Sequence, residues 1–363
     1  MAKKRDAHPD RIHLLAHANP LGKDIVRFGF GELSEYIDFI ARQTPRGYRV
    51  TYSQRVFEAE EDVPRGGRRD DAERVRDLQH ALDDPRTAAI VALSGGAYFG
   101  RILPHLNFEG LKRRRTPLWV MGFSEMTTLV NIVASYPCGR GLYWLCPNYL
   151  AWKIDPPEAA RAAFAEFWTM LPAVLSDGSL PPTPRRAARA SHPADMRNAH
   201  AGRHSGDGRA DAPRFRHLRS NGAPISGQLI SGKITGRRAR VIGGCLSVLA
   251  AALPGLRSVR PRNCWLAIED LREEPYRIDR YLATLKLAGW FERLAGVIVG
   301  DFHTADEDLQ ATVAEYLHFH LPRGAQTPVV LTRDVGHVWP MSPLPINRSL
   351  RIGVDGRRVS FSI

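Results

Sequence analysis

The chain has little cysteine, no uninterrupted long apolar run and hardly an aromatic residue in its most basic stretch, and each absence closes off a class of protein. Four cysteines, Cys138, Cys146, Cys245 and Cys264, stand in 363 residues without a CxxC pair. They are too few and too scattered for a disulfide framework or a zinc ligand set, so a reducing compartment and no structural metal are expected. The longest apolar stretch, Val241–Leu256, is broken by Gly243, Gly244 and Pro254. It falls short of the roughly 20 residues that cross a bilayer and reads as a buried helix with a glycine-rich entry. Met1–Arg5 is basic, but Asp6, His8, Asp10 and Arg11 follow where a signal peptide needs an apolar run of about 7–15 residues. A cytoplasmic protein with no membrane partner is the expectation.

The formal charge is +13, which raises nucleic acid as a partner. Much of the excess, however, lies between Arg185 and Arg219, among Ala, Arg, His, Gly, Asp and Pro. A segment so poor in large apolar residues cannot bury a core and reads as an exposed connector. Of the aromatic residues only Phe215 is interleaved with those arginines, so a stacking platform for single strands is lacking and no specific nucleic-acid partner is expected.

What is present is the composition of a packed enzyme, 44% hydrophobic and 25% charged. The length exceeds one ordinary core and suggests two domains. Short apolar runs alternate with helical patterns, as a parallel α/β sheet requires. Arg11–Ala16, Tyr48–Tyr52, Thr87–Leu93 (TAAIVAL) and Pro117–Gly122 (PLWVMG) read as strands. Glu32–Arg42, Asp71–Leu82 and Glu125–Tyr136 read as helices, and a further one begins at Arg101–Leu106. Ser94–Gly100 (SGGAYFG) is a glycine-rich turn at a strand's carboxyl end, and Ser124 sits on a strand-to-helix corner. Beyond the connector, Gly227–Thr235, Arg237–Gly243, Asn263–Ile268, Leu294–Gly300 and Pro328–Thr332 are strand candidates. Gly244–Leu253 and Tyr276–Ala288 are helices, and Ser349–Ile363 is a hairpin about Asp355 and Gly356.

Ser124, Glu269 and His337 each follow an apolar strand, where sheets present side chains to a shared crevice. A strand-to-helix corner lifts a serine hydroxyl clear of the sheet, and the helix amino terminus offers backbone N–H groups to an oxyanion. Each residue also has a plainer reading: Ser124 as an N-cap, Glu269 as a partner of Arg272 or Arg277, and His337 as a satisfied histidine.

Four ordered blocks favour the first of these readings. Asp84–Leu106, Gly122–Thr128 (GFSEMTT), Ile268–Phe302 (beginning IEDLREEP) and Gly336–Pro345 (GHVWPMSPLP) resemble the LD-carboxypeptidase family, which includes murein tetrapeptide carboxypeptidases and microcin C immunity peptidases. The resemblance implies an N-terminal doubly wound, mostly parallel α/β domain in 1–180 and a connector in 181–224. It also implies a smaller C-terminal β-rich α/β domain in 225–363. In the family the serine of the GYSD block is the nucleophile, the glutamate of the LED block orients the base and the histidine of the GH block is that base. These fall on Ser124, Glu269 and His337. The implied activity is hydrolysis of an L,D peptide bond in a small muropeptide-like substrate, releasing a D-amino acid. Cleavage of a peptide-nucleotide conjugate and a catalytically silent peptide-binding homologue are the alternatives.

The mechanism so implied needs no cofactor. The backbone N–H groups of Glu125 and Gly96 would hold the oxyanion, and Gly95, Tyr98 and Trp339 would touch substrate. Family members often form dimers, so a homodimer is a further expectation. Three departures bear on specificity: Ser94 replaces a common arginine before the glycine pair, Cys245 a frequent asparagine, and Cys146-Pro147-Asn148 a glycine-proline segment.

Overall fold

The computed structural model describes residues 8–19, 21–60, 67–177, 225–304, 306–322 and 326–362, so the connector expected at 181–224 lies outside the described residues. The chain forms two compact units. One comprises the chain up to Ser179 with Pro254–Arg260 and Pro345–Asn347; the other comprises Leu180–Leu253, Pro261–Leu344 and Arg348–Ile363. Strands are numbered β1 to β13 along the chain.

In the first unit β1 (Arg11–Leu15), β2 (Arg49–Thr51), β3 (Thr87–Ala92), β4 (Leu118–Gly122) and β5 (Gly139–Tyr143) are parallel. With β11 (Leu344–Ile346) at one edge, the sheet runs β11-β5-β4-β3-β1-β2. A parallel strand covered on both faces must be apolar throughout, and every residue of β3 and β4 is buried. The strand order reverses between β1 and β3, and such a switch opens a crevice at the carboxyl ends of the strands. The glycine loop leaves β3 there, held by Leu93 N–H to the Leu15 carbonyl (2.9 Å) and Ala97 N–H to the Ala18 carbonyl (3.1 Å).

Sequence periodicity missed β5, whose Gly-Arg-Gly-Leu-Tyr run carries no apolar stretch. A Cβ on Gly139 would lie 1.7 Å from the Val133 carbonyl oxygen, and one on Gly141 would lie 2.8 Å from the Ala134 Cβ. The strand is glycine-rich because it packs directly on the helix Thr127–Ala134. The helices expected at Arg101–Leu106 and Glu125–Tyr136 need correction. The first is a short helix, Phe99–Ile102, running into a 3-10 turn, Leu103–His105. The second starts later, at Thr127, after a 3-10 turn over Ser124–Met126.

The second unit is a closed barrel in the order β10-β6-β13-β12-β7-β8-β9. Its strands are β6 (Ile225–Ser231), β7 (Arg238–Cys245), β8 (Trp265–Leu271), β9 (Gly296–His303), β10 (Val329–Thr332), β12 (Ser349–Asp355) and β13 (Arg358–Ser362). β7 to β10 run parallel, and the expected hairpin β12–β13 forms antiparallel pairs. The strand expected at Arg237–Gly243 forms over Arg238–Cys245, so the apolar stretch from Val241 begins as strand, and the helix expected at Gly244–Leu253 is confined to Leu246–Ala252. Gly243 and Gly244 take φ of 124° and 142°, and a Cβ on Gly243 would fall 1.9 Å from the Ala267 carbonyl oxygen. Close strand pairing, not helix entry, is what those glycines serve. β8 also runs past the expected end at Ile268, which puts Glu269 within the barrel wall. No helix among the described residues is long and apolar enough to cross a membrane.

Candidate active site

Ser124 is the turning point between β4 and the helix Thr127–Ala134, and it holds φ at 57°. The left-handed region costs a non-glycine residue about 1–2 kcal/mol and persists only where the surroundings over-determine it. Here they do: Ser124 N–H donates to the Tyr143 hydroxyl oxygen (3.1 Å), and the Thr127 hydroxyl donates to the Ser124 carbonyl (2.6 Å). Gly122 permits the sharp return, since a Cβ there would lie 2.9 Å from the Met126 Cβ and 3.0 Å from the Ala92 Cβ.

The glycine loop lies against this turn. A Cβ on Gly95 would sit 3.1 Å from the Ser124 Cβ and 3.5 Å from its Oγ, so any larger residue would crowd the hydroxyl. Gly96, at φ 137°, is pressed on the other side, where a Cβ would meet the Asn19 Cβ at 2.8 Å and the Ala18 carbonyl oxygen at 2.9 Å. Tyr98 is left-handed too, at φ 68°, and its ring closes on Gly67. The Ser94 hydroxyl donates to the buried Asp24 carboxylate (2.5 Å), which also accepts from Asn148 Nδ2 (3.1 Å) and Trp152 Nε1 (2.7 Å). The serine in place of the family's arginine therefore belongs to a buried neutral-donor network at the start of the loop, and Asn148 of the second departure belongs to the same network.

In the other unit the structure brings Glu269 and His337 together. His337 Nδ1 lies 2.8 Å from Glu269 Oε2, with the imidazole and the carboxylate buried. Close backbone packing makes that burial possible. Between the pairs Ile268↔Val299 and Asp270↔Phe302, β9 has one residue more than β8, a bulge beside Glu269 of the kind that re-aims side chains. A Cβ on Gly300 would come 2.9 Å from the Glu269 Cβ, and one on Gly336, at φ 128°, would come 3.1 Å from Glu269 Oε2.

Burial by itself would push the His337 imidazole down. The Glu269 carboxylate and its hydrogen bond outweigh burial, with Asp270 and Asp301 adding to them, so the net direction is up. Asp270 accepts from the Ser247 (2.7 Å) and Leu271 (2.9 Å) amides, and burial with the neighbouring Glu269 charge raises it to about 6. Asp301 accepts from Arg333 Nη1 (3.1 Å) and lies 2.5 Å from His303 Nδ1. Burial, Asp270 and Glu269 push the Cys245 thiol up, so it stays neutral beside the dyad. Trp339 is partly exposed two residues after His337.

Gly95, Gly96, Tyr98, Ser124 and Glu125 are thus neighbours in one unit, and Glu269, His337 and Trp339 belong to the other. Tyr143, Asp270, Asp301 and Gly300 escaped sequence reasoning. Of these only Asp270 and Asp301 carried a signal, as acidic residues inside apolar strands.

An imidazole buried on a carboxylate in one unit and a strained serine beside glycines in the other are side-chain arrangements of the kind that acyl transfer uses. Residues 12–138 match the LD-carboxypeptidase N-terminal domain and residues 238–352 the LD-carboxypeptidase C-terminal domain. A carboxypeptidase-like protein of Streptomyces coelicolor is 30% identical over 272 residues, 74% of this chain and 69% of that protein. The murein tetrapeptide carboxypeptidase of Pseudomonas aeruginosa is 24% identical over 330 residues, 86% and 87% of the two chains. In fold, the microcin C7 self-immunity protein bound to glutamyl sulfamoyl guanosine superposes with a TM-score of 0.64 at 19% identity, covering 98% of this chain and 97% of that one. With both domain signatures in order along one chain, this protein belongs to the LD-carboxypeptidase family.

Proposed function

We propose that the chain is a serine-type carboxypeptidase that hydrolyses an L,D peptide bond and releases a terminal D-amino acid, with Ser124 as nucleophile, His337 as base and Glu269 as its orienting partner. The nucleophile half is 1–180 and the base half 225–363, joined by 181–224. The observation that carries the reading is the buried 2.8 Å contact between His337 Nδ1 and Glu269 Oε2. A carboxylate on Nδ1 fixes the proton there, leaving the Nε2 lone pair to take the Ser124 proton as Oγ attacks the scissile carbonyl. The imidazolium then returns that proton to the leaving amine. Water, deprotonated in the same way, hydrolyses the acyl-enzyme and frees the serine. The N–H groups of Glu125 and Gly96 receive the oxyanion, and each such donor is worth about 3 kcal/mol in the transition state. No metal or organic cofactor enters these steps.

The substrate is a murein-derived tetrapeptide turned over in the cytoplasm, with Gly95, Tyr98 and Trp339 against it. In this reading neither a membrane nor a specific nucleic acid is a partner, and a homodimer is expected from the family resemblance alone. The relationship to a murein tetrapeptide carboxypeptidase over most of both chains supports the substrate class. A second reading, cleavage of an aminoacyl-nucleotide conjugate, draws on the fold shared with the microcin C7 self-immunity protein and on the altered loop at Ser94. Incubation with murein tetrapeptide and, separately, with an aminoacyl sulfamoyl adenylate decides between them. Release of D-alanine from the first alone is the expected outcome, and cleavage of the second alone overturns the assignment. Covalent labelling of Ser124 by a fluorophosphonate excludes a silent binding protein.

A further inference from the structure

Glu125 follows the strained Ser124, and its side chain turns back to the glycine loop. Oε1 accepts from the amides of Phe99 (2.8 Å) and Gly100 (3.3 Å), residues 26 and 25 positions away in the chain. These amides stand just beyond Tyr98, whose left-handed φ of 68° reverses the loop. The Tyr98 carbonyl accepts from Arg74 Nη1 (3.0 Å), and the same nitrogen donates to the His17 carbonyl (2.7 Å). Arg74 has no solvent exposure and is anchored by Asp70 and Asp71. The Tyr98–Phe99 peptide is therefore gripped at its oxygen by a buried guanidinium and at its nitrogen by a carboxylate.

The contacts form a closed circuit. From Ser124 the main chain passes to Glu125, the Glu125 side chain to the loop amides, and the loop leads back to Gly95, where an added Cβ would touch the Ser124 side chain. Burial pushes the Glu125 carboxyl up, against the Phe99 and Gly100 amides and Arg74, which pull it down. Glu125 is half-buried, and the two amide hydrogen bonds to Oε1 offset part of the cost of taking its carboxylate out of water.

We infer that the Glu125 side chain is a positioning residue, setting the distance between the Ser124 turn and the glycine loop so that the oxyanion donors on either side stay in register. This rests on the assignment of Ser124 as nucleophile. Because the spacing matters when charge develops on the oxygen and not when substrate first binds, the effect falls on the chemical step.

Three substitutions test it. Glu125→Gln keeps an acceptor without charge, Glu125→Met keeps bulk without an acceptor, and Glu125→Asp keeps charge but withdraws the acceptor by one methylene. Each is read by fluorophosphonate inactivation (kinact against KI), turnover of murein tetrapeptide (kcat against KM), and hydrogen exchange at the Phe99 and Gly100 amides, with Ser124→Ala as reference. Glu125→Gln is expected to stay within about threefold of the parent. Glu125→Met and Glu125→Asp are expected to lose about tenfold or more in kinact and kcat, with KI and KM within about twofold and faster exchange at both amides. Parent-like rates in Met and Asp while Ser124→Ala is inert overturn this inference alone. Damage to Gln equal to that in Met does the same, because charge and not the acceptor would then be responsible. A fully active Ser124→Ala overturns the nucleophile assignment, and this inference with it. If Met does not fold, Asp carries the test.

Discussion

The serine turn and the histidine pair are built on opposite principles. Around Ser124 the ordering is done by backbone: a left-handed φ, glycines that admit close approach, and amides held by Tyr143 and Glu125. Around His337 it is done by charge excluded from water, with Glu269 fully buried and Asp270 and Asp301 close behind it. A nucleophile needs its lone pair exposed and its acceptor side lined with N–H groups, which geometry supplies. A base needs its tautomer and its pKa fixed, which a buried carboxylate supplies.

That contrast predicts a graded response. The largest effect should come from Ser124→Ala, which removes the proposed nucleophile and should lower kcat by about 10⁵-fold or more, measured by D-alanine release. Next is Glu269→Gln, which keeps the shape of the pair but removes its charge and frees the tautomer. A loss of about 10²- to 10⁴-fold in kcat is expected, and a loss under about tenfold would mean that burial alone orients His337.

The pH profile sharpens the comparison on the charge side only. His337 is raised above 6.5, so kcat/KM should climb through an apparent pKa above 6.5 as the imidazole becomes neutral, and Glu269→Gln should move that limb to lower pH. Stability runs the other way. A histidine raised in the folded state contributes stability that is complete below its unfolded value of 6.5 and is lost as pH rises through the folded pKa. Thermal melts across that window, with and without Glu269→Gln, measure it.

Smaller effects come from backbone packing and single hydrogen bonds, one beside His337 and one at the serine turn. Gly336→Ala puts a Cβ 2.9 Å from that of Asp301 at φ 128° and should lower stability by about 1–3 kcal/mol, read as a fall in Tm. Tyr143→Phe removes the hydroxyl that accepts from Ser124 N–H, a loss of about 1 kcal/mol or a few-fold in kcat. If it matched Glu269→Gln, the turn would be held far less by its own backbone than the geometry indicates.

The sequence by itself determined the apolar parallel strands, because residues buried on both faces leave an unbroken signature such as TAAIVA. It also marked polar residues where such runs stop, and four ordered blocks named the family. Glycine-rich elements were only partly legible: β5 has no apolar run, and Gly244, read as the start of a helix, belongs to the strand that ends at Cys245. A glycine's purpose is an atom that is missing, and only the neighbour occupying that space reveals it. The tertiary structure alone decided that Glu269 meets His337 across 68 residues, that Ser124 takes a left-handed φ, and that the Glu125 carboxylate reaches the loop. Periodicity reports the face a side chain occupies over a few residues. Which distant group shares that face depends on how the sheet and the barrel close.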